Sequence, residues 1–250
     1  MYRNKKVSLI LPCRNEGNHL KEVVKRVPDF VDEIIVVSNK SSDNTMQVAA
    51  GLKKVKAVED NRTINGIGYG FAHMTGIANA TGDIIAAADG DGTYPIESLD
   101  KVINRLLSKK LDFISCNRYP LQKGTKIPFK LRLGVWTLNT EVRLLYGIKI
   151  NDILSGMWVF DGKVKDSLNL TMGEWNLSPQ IKLNAATSPN IRFSEYSIAQ
   201  HQRMGKSHQR HFQTGFAHLK WIFKNRFADE MESVADLTAS LSEAEATSEI

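Results

Sequence analysis

Two cysteines in 250 residues, Cys13 and Cys116, form no C-x-x-C pair and no ligand cluster. A disulfide framework and a thiolate metal centre are therefore excluded, and the count suits a reducing compartment. With no partner histidine identifiable in the sequence, both thiols read as small buried residues rather than nucleophiles. No apolar run approaches the roughly eighteen residues of a membrane span. The opening MYRNKKVSLILPC sets basic residues before an apolar stretch, but RNEG follows where a small-residue cleavage site would stand. A first buried strand is expected there, not a signal peptide.

Charge of one sign is missing from two segments. Residues 201–227 hold six Lys+Arg and four of the six histidines but no acid, whereas 228–250 hold seven Asp+Glu and no base. The first 200 residues are mixed, with 27 Lys+Arg and 20 Asp+Glu, so the net charge of +6 conceals three unlike objects. A composition of 42% hydrophobic and 24% charged residues suits one large α/β domain over 1–200 carrying two appendages.

Up to about residue 120, strand and helix patterns alternate. VSLILP, EIIVVS, KVKAVE, DIIAAAD and DFISCN read as strands. Between them, NHLKEVVKRV, SSDNTMQVAAGL, GYGFAHMTGIANAT and PIESLDKVINRLLSKK read as helices, with Ser42 or Asp43 as a cap and Pro95 as a start. Regular strands with helical crossovers predict a mostly parallel sheet covered on both faces. Ligands of such sheets bind at the carboxyl ends of the strands, where Pro12–Glu16, Ser38–Thr45 and Asp89–Thr93 fall. Beyond 120, a Gly/Pro loop leads to a helix in FKLRLGVWTLNTEVRLLYG, a strand ending DILSGMWVF, a helix in SPQIKLNAA and a final strand in IRFSEYSIA.

The stretch IIAAADGDGTYP has two readings. A strand ending in D-x-D-G-T presents either the aspartyl nucleophile of a haloacid-dehalogenase-type phosphatase or the Asp-x-Asp of a glycosyltransferase. Alternate side chains at a strand end share a direction, so either enzyme can use two carboxylates one residue apart. The phosphatase needs this strand first in the domain and a late acid pair for magnesium. Here three strand–helix units precede it, and no Asp-Asp or Gly-Asp-x-x-x-Asp follows before the acidic tail. A dinucleotide site is also disfavoured: Gly66, Gly68 and Gly70 follow the third strand instead of the first, with Phe71 where the last glycine belongs.

Read together, the strand ends are specific. VSLILPCRNEGNHL resembles the P-x-x-N-E opening of inverting family 2 glycosyltransferases, the group that includes dolichol- and undecaprenyl-phosphate sugar transferases. IIVVSNKSSDNT is similar to their V-V-D-[DN]-G-S-x-D-x-T, and GIGYGFAHMTGIANATGDIIAAADGDGTYP to their glycine-rich helix, A-x-G-D strand and D-x-D-G-T-Y-P. CNRYP, LRLGVWTLNTEVRLLYGIKINDILSGMWVF and HQRMGKSH are similar to later family segments, so the resemblance spans about residues 6–210.

The resemblance implies a GT-A fold: a Rossmann-like, mostly parallel sheet with helices on both faces, joined here by a C-terminal basic amphipathic helix. Residues 1–120 would form the nucleotide-binding half and 121–200 the acceptor half. It further implies a metal-dependent inverting enzyme that moves a sugar from a nucleoside-diphosphate sugar to a polyprenyl phosphate, or else to a soluble or polysaccharide acceptor. A catalytically silent partner that kept the fold is the reading from another class. Asp91 would hold Mg2+ or Mn2+ directly, with Asp89 nearer the ribose or metal, because a hard cation on carboxylate oxygens offsets charge growing on the departing diphosphate.

By the same resemblance Pro12, Asn15, Glu16, Asn39, Asp43 and Gly90 would face the nucleotide. Arg118, Arg132, Arg203 and Lys206 would contact phosphate or acceptor, as bidentate guanidinium groups suit. Asp152 would orient the acceptor or act as base, and an acceptor phosphate, already ionised, would need only the first. Ser38 and Lys40 depart from the family's usual Asp and Gly.

In HQRHFQTGFAHLKWIFKNRF, Phe212, Phe216, Leu219, Phe223 and Phe227 recur at helical spacing among Arg210, Lys220, Lys224 and Arg226. Such a helix either lies on an anionic membrane or packs its stripe on the domain. A lipid-linked acceptor favours the first, giving a cytoplasmic protein peripheral to the membrane with no nucleic-acid partner. The four histidines are expected to be solvated, and residues 228–250 disordered or weakly helical.

Overall fold

Strands that are apolar at successive positions belong where both faces of a sheet are covered. Val7–Cys13 (β1) is buried at six of its seven positions and Ile84–Ala87 (β4) at all four. A computed structural model, which describes residues 1–122, 125, 127–205 and 211–228, places both at the centre of one seven-stranded sheet. The others are Glu33–Ser38 (β2), Val55–Glu59 (β3), Phe113–Asn117 (β5), Trp158–Asp161 (β6) and Phe193–Ser197 (β7). Their order is β3-β2-β1-β4-β6-β5-β7, parallel except for β6, which runs antiparallel to both neighbours.

Helices cover both faces. Gly17–Lys25 (α1), Thr45–Ala50 (α2) and Leu99–Ser108 (α4) bury Leu20, Ala49, Val102 and Leu106 against Leu9, Leu11, Val36 and Ala86 on one side. Tyr69–Asn79 (α3) and Leu177–Thr187 (α6) bury Ala72, Ile77, Ile181 and Ala185 against Ile10, Ile35, Ile85 and Trp158 on the other. A third cluster joins Phe129–Tyr146 (α5) to His211–Arg226 (α7) through Leu138, Val142, Ile153 and Ile222. Tyr146 Oη donates to the Ile222 carbonyl at 3.0 Å and Arg226 Nε to the Leu145 carbonyl at 2.9 Å.

One detail differs from the sequence expectation: DILSGMWVF is strand only from Trp158, and residues 150–157 form a loop at the carboxyl edge of the parallel strands. β6, from the stretch after residue 120, lies between β4 and β5 from the stretch before it. The chain after β7 returns along the same edge, with His201 N donating to the Thr93 carbonyl and Met204 N to the Asp91 carbonyl. No described helix is long and apolar enough to cross a membrane. Lys206, Arg210 and residues 229–250, including the acidic tail, lie outside the described residues.

Candidate active site

A cleft of 870 Å³ follows the carboxyl edge of β1, β2, β4 and β5. Its floor depends on close backbone approach. A side chain at Gly90 would meet Cys13 Sγ at 2.4 Å and the Pro12 carbonyl at 2.9 Å, so only glycine lets the turn after β4 lie on the end of β1. Gly156 does the same for the 150–157 loop, where an added Cβ would stand 2.8 Å from Asp89 Oδ1.

Asp89 and Asp91 both reach this cleft. Asp91 is 4% exposed; its Oδ1 accepts from Thr93 N at 2.9 Å and its Oδ2 pairs with Arg203 at 2.8 Å. Asp89 accepts from Tyr69 Oη at 3.3 Å. Glu16 stands nearby, buried, with Oε2 lacking a hydrogen-bond partner. Burial, and after it the Asp91 charge, push both Asp89 and Glu16 up to about 7. Three carboxylates thus lie close together, with Arg203 paired to Asp91 and the Arg118 charge also acting on Asp89.

Among the described residues no three His, Cys, Asp or Glu side chains are grouped to hold a metal alone. The Asp89–Asp91 pair nevertheless fits a hard divalent cation whose remaining ligands are oxygens of a bound phosphate and water.

A pH dependence follows. The native protein retains protons on Asp89 and Glu16 that the unfolded chain gives up at ordinary carboxylate pKa values. Raising the pH towards 7 therefore weakens the metal-free fold. A divalent cation held by Asp89 would displace its proton, so Mn2+ affinity should rise about tenfold or more from pH 6 to pH 8. Isothermal titration with Mn2+ at the two pH values, beside melting curves without metal, reads both trends.

The other expected nucleotide residues divide into two groups. Pro12, Glu16, Asn39 and Gly90 line the cleft. Asn39 Nδ2 also donates to the carbonyls of Asp60 (2.6 Å) and Arg62 (3.0 Å), fixing the loop after β3. Asn15 and Asp43 do not line it. Asn15 Oδ1 accepts from Ser42 N at 2.7 Å, while Asp43 accepts from Thr45 N and Gly17 N and ties α1 to α2. Both are spent on backbone that would otherwise go unpaired. Ser38 is buried and donates to Ser41 Oγ, and Lys40 takes the φ of +49° that a family glycine would adopt freely.

The basic residues divide likewise. Arg118 and Arg203 line the cleft; Arg132 lies on the outward side of α5, in a separate groove. Asp152 is fully buried and accepts from Arg118 Nε (2.6 Å), Nη2 (2.8 Å) and backbone N (3.1 Å). The Arg118 charge overcomes burial and holds the Asp152 carboxyl below its ordinary value. A carboxylate so held fixes the orientation of the Arg118 guanidinium.

Three features escaped the sequence reading. Lys182 is fully buried, donating to the carbonyls of Ile153 and Ser155 at 2.7 and 2.5 Å and to Ser178 Oγ at 3.1 Å, and so ties α6 to the 150–157 loop. Its only sequence signal is a lysine between Ile181 and Leu183 on a helix buried nearly all round. Tyr69 holds Asp89 and packs on Trp175, with ring centroids 4.7 Å apart. His218, expected in solvent, is 2% exposed and pairs through Nδ1 with Asn176 Oδ1 at 2.7 Å.

Residues 8–166 match the model of the family "Glycosyl transferase family 2". The low-salt glycan biosynthesis hexosyltransferase Agl6 of Haloferax volcanii is 24% identical over 88% of this chain and 53% of its own length. The dolichol-phosphate mannosyltransferase of Pyrococcus furiosus is 31% identical over 51% of this chain and 38% of its own length. The chain thus spans about half or less of these two relatives. Glucosyl-3-phosphoglycerate synthase of Mycobacterium tuberculosis, crystallised with Mn2+, UDP and phosphoglyceric acid, superimposes with a TM-score of 0.66 at 15% identity. That match covers 90% of this chain and 78% of the synthase, and the shared arrangement is the GT-A fold.

Proposed function

This chain belongs to glycosyl transferase family 2, and on that footing we propose that it moves a sugar from a nucleoside diphosphate to a polyprenyl phosphate at the cytoplasmic face of a membrane. The observation that carries the acceptor is the make-up of the cleft. Its lining holds carboxylates and arginines, Glu16, Asp89, Asp91, Arg118 and Arg203, and also apolar side chains, Leu131, Val135 and Leu138 of α5 with Phe216 and Leu219 of α7. A ligand with a phosphate head and a hydrocarbon tail suits a cavity with both kinds of lining. The dolichol-phosphate mannosyltransferase relative supports the same acceptor class.

Asp91 and Asp89 would hold Mg2+ or Mn2+, which as a Lewis acid offsets the charge of the leaving diphosphate. Arg203 lies beside Asp91 and is free to turn its guanidinium to the diphosphate oxygens once that carboxylate has another partner. Glu16 and Asn39 close the nucleotide end, beside Pro12 and the Gly90 backbone. Arg118, its orientation set by Asp152, meets the acceptor phosphate. Already ionised at neutral pH, that phosphate attacks the anomeric carbon opposite the diphosphate without a general base. The 150–157 loop, held by Lys182, keeps Asp152 and Arg118 in place.

Incubation with radiolabelled UDP- and GDP-sugars, Mn2+ and a short-chain polyprenyl phosphate tests this. Label is expected in the lipid extract for one donor, and only when metal is present. Label found solely on a soluble acceptor such as phosphoglycerate, or nowhere, would sink the acceptor assignment.

A further inference from the structure

On its outward side α5 presents a face that the core does not use. Val135, Leu138 and Val142 are its buried stripe. Phe129, Arg132, Leu133, Trp136, Thr140 and Arg143 recur at the same helical spacing on another side. Phe129 is 72% exposed, Trp136 63% and Leu144 79%. With Tyr119 and Lys149, this face lines a groove of 620 Å³ that contains no Asp or Glu. Arg132, Arg143 and Lys149 are exposed, and among the described residues no carboxylate pairs with them.

The groove adjoins the cleft, since Tyr119, Leu133 and Val135 line both. Phe212 and Phe216 of α7, also exposed, line the cleft beside them.

We propose that this face of α5 is a membrane-docking surface whose groove takes the phosphate of an anionic phospholipid headgroup. The occupant follows from charge and shape together. Three unopposed cations around a concave site select an anion, and phosphate oxygens suit the two guanidinium forks. Exposed Trp and Phe on the same face match side chains that settle at the headgroup level of a bilayer. Long basic side chains extend from apolar surface towards headgroups and strengthen binding to anionic lipid. A soluble anion would account for the cations but not for Phe129, Trp136 and Leu144. The inference rests on the reading of a lipid-linked acceptor, which requires the apolar lining of the cleft to meet the bilayer.

The test is sedimentation of the full chain with vesicles of phosphatidylcholine, with and without phosphatidylglycerol, and free of any polyprenyl phosphate. Wild type is expected to bind only the anionic vesicles, less strongly as salt rises. Arg143→Glu combined with Lys149→Glu should weaken binding more than about tenfold. Trp136→Ser should weaken it too and remove most of the blue shift in tryptophan emission on vesicle addition. These side chains are exposed, so melting curves should match wild type.

Equal binding to both vesicle types, or full binding by the double variant, would overturn the proposal. Displacement by inorganic phosphate at constant ionic strength would also overturn it, by making the groove a site for free anions. Because the vesicles contain no acceptor, a failed transfer assay would leave this result standing, and failed docking would leave transfer to a detergent-dispersed acceptor unaffected.

Discussion

Asp91→Asn should lower sugar transfer about a thousandfold while leaving the protein folded. Loss of a metal ligand forfeits several kcal/mol of charge stabilisation in the transition state, and each 1.36 kcal/mol is a factor of ten. The fold should survive because asparagine keeps an oxygen to accept from Thr93 N, as Asp91 Oδ1 does at 2.9 Å. The lost pair with Arg203 releases a half-exposed arginine into water, which costs little. Removing the Asp91 charge also relieves its repulsion of Asp89 and Glu16, so both carboxylates should ionise at lower pH. Activity and melting temperature measured on the same sample check the prediction. An inactive variant that is also unfolded would show that Asp91 is structural.

Asp152→Ala should do the opposite to stability. The carboxylate is fully buried and its arginine partner only 15% exposed. Taking one member of such a pair leaves the other charge uncompensated and costs about 3–5 kcal/mol. For a chain of this size that is a fall of about 10 °C or more in melting temperature. The combined Asp152→Leu and Arg118→Met variant should recover part of the loss, since replacing both charges by apolar groups is close to neutral. It should not recover transfer, because Arg118 would be gone from the cleft. A double-mutant cycle on the two substitutions separates the pair from its members. Full activity in the double variant would remove Arg118 and Asp152 from the site altogether.

These two aspartates show how far the site was legible in the sequence. Asp91 was legible because it follows an apolar strand within a D-x-D-G-T run, although in the structure it lies in the turn after β4, where a strand's period of two no longer applies. The alternating elements and the carboxyl-edge location were readable from periodicity; Glu16, Asn39, Asp89, Arg118 and Arg203, which line one cleft, were singled out by the family resemblance. Asn15 and Asp43 match the family pattern equally well, but Asn15 accepts from Ser42 N in the loop before α2, and Asp43 from Gly17 N and Thr45 N at the starts of α1 and α2. Local spacing does not distinguish a side chain facing a ligand from one facing a loop.

Asp152 was a candidate from the sequence, but its pairing with Arg118, and Lys182 altogether, needed the tertiary fold. Their partners are 34 residues away in one case and up to 29 in the other. Helix α7 packs on the domain through His218 and Ile222, while Phe212, Phe216 and Phe223 of the expected apolar stripe stay exposed. A helical repeat marks an apolar stripe without saying whether protein or lipid covers it.

The position of β6 bears on how the chain folds as it is made. β1 to β4 can pair as they leave the ribosome, but β4 and β5 never touch; β6 separates them and pairs with both. Until residue 161 has emerged, the Ile84–Ala87 edge has no partner on that side and Phe113–Asn117 has neither neighbour. A bare apolar edge is a template for misassociation, so this interval is when the nascent chain most needs a chaperone. Threading β6 into the gap is also what brings Asp152 under Arg118. The carboxyl edge of the sheet is therefore among the last parts of the molecule to form, and a chain halted before that step would hold Asp89, Asp91 and Arg118 without the buried Asp152 that orients the arginine.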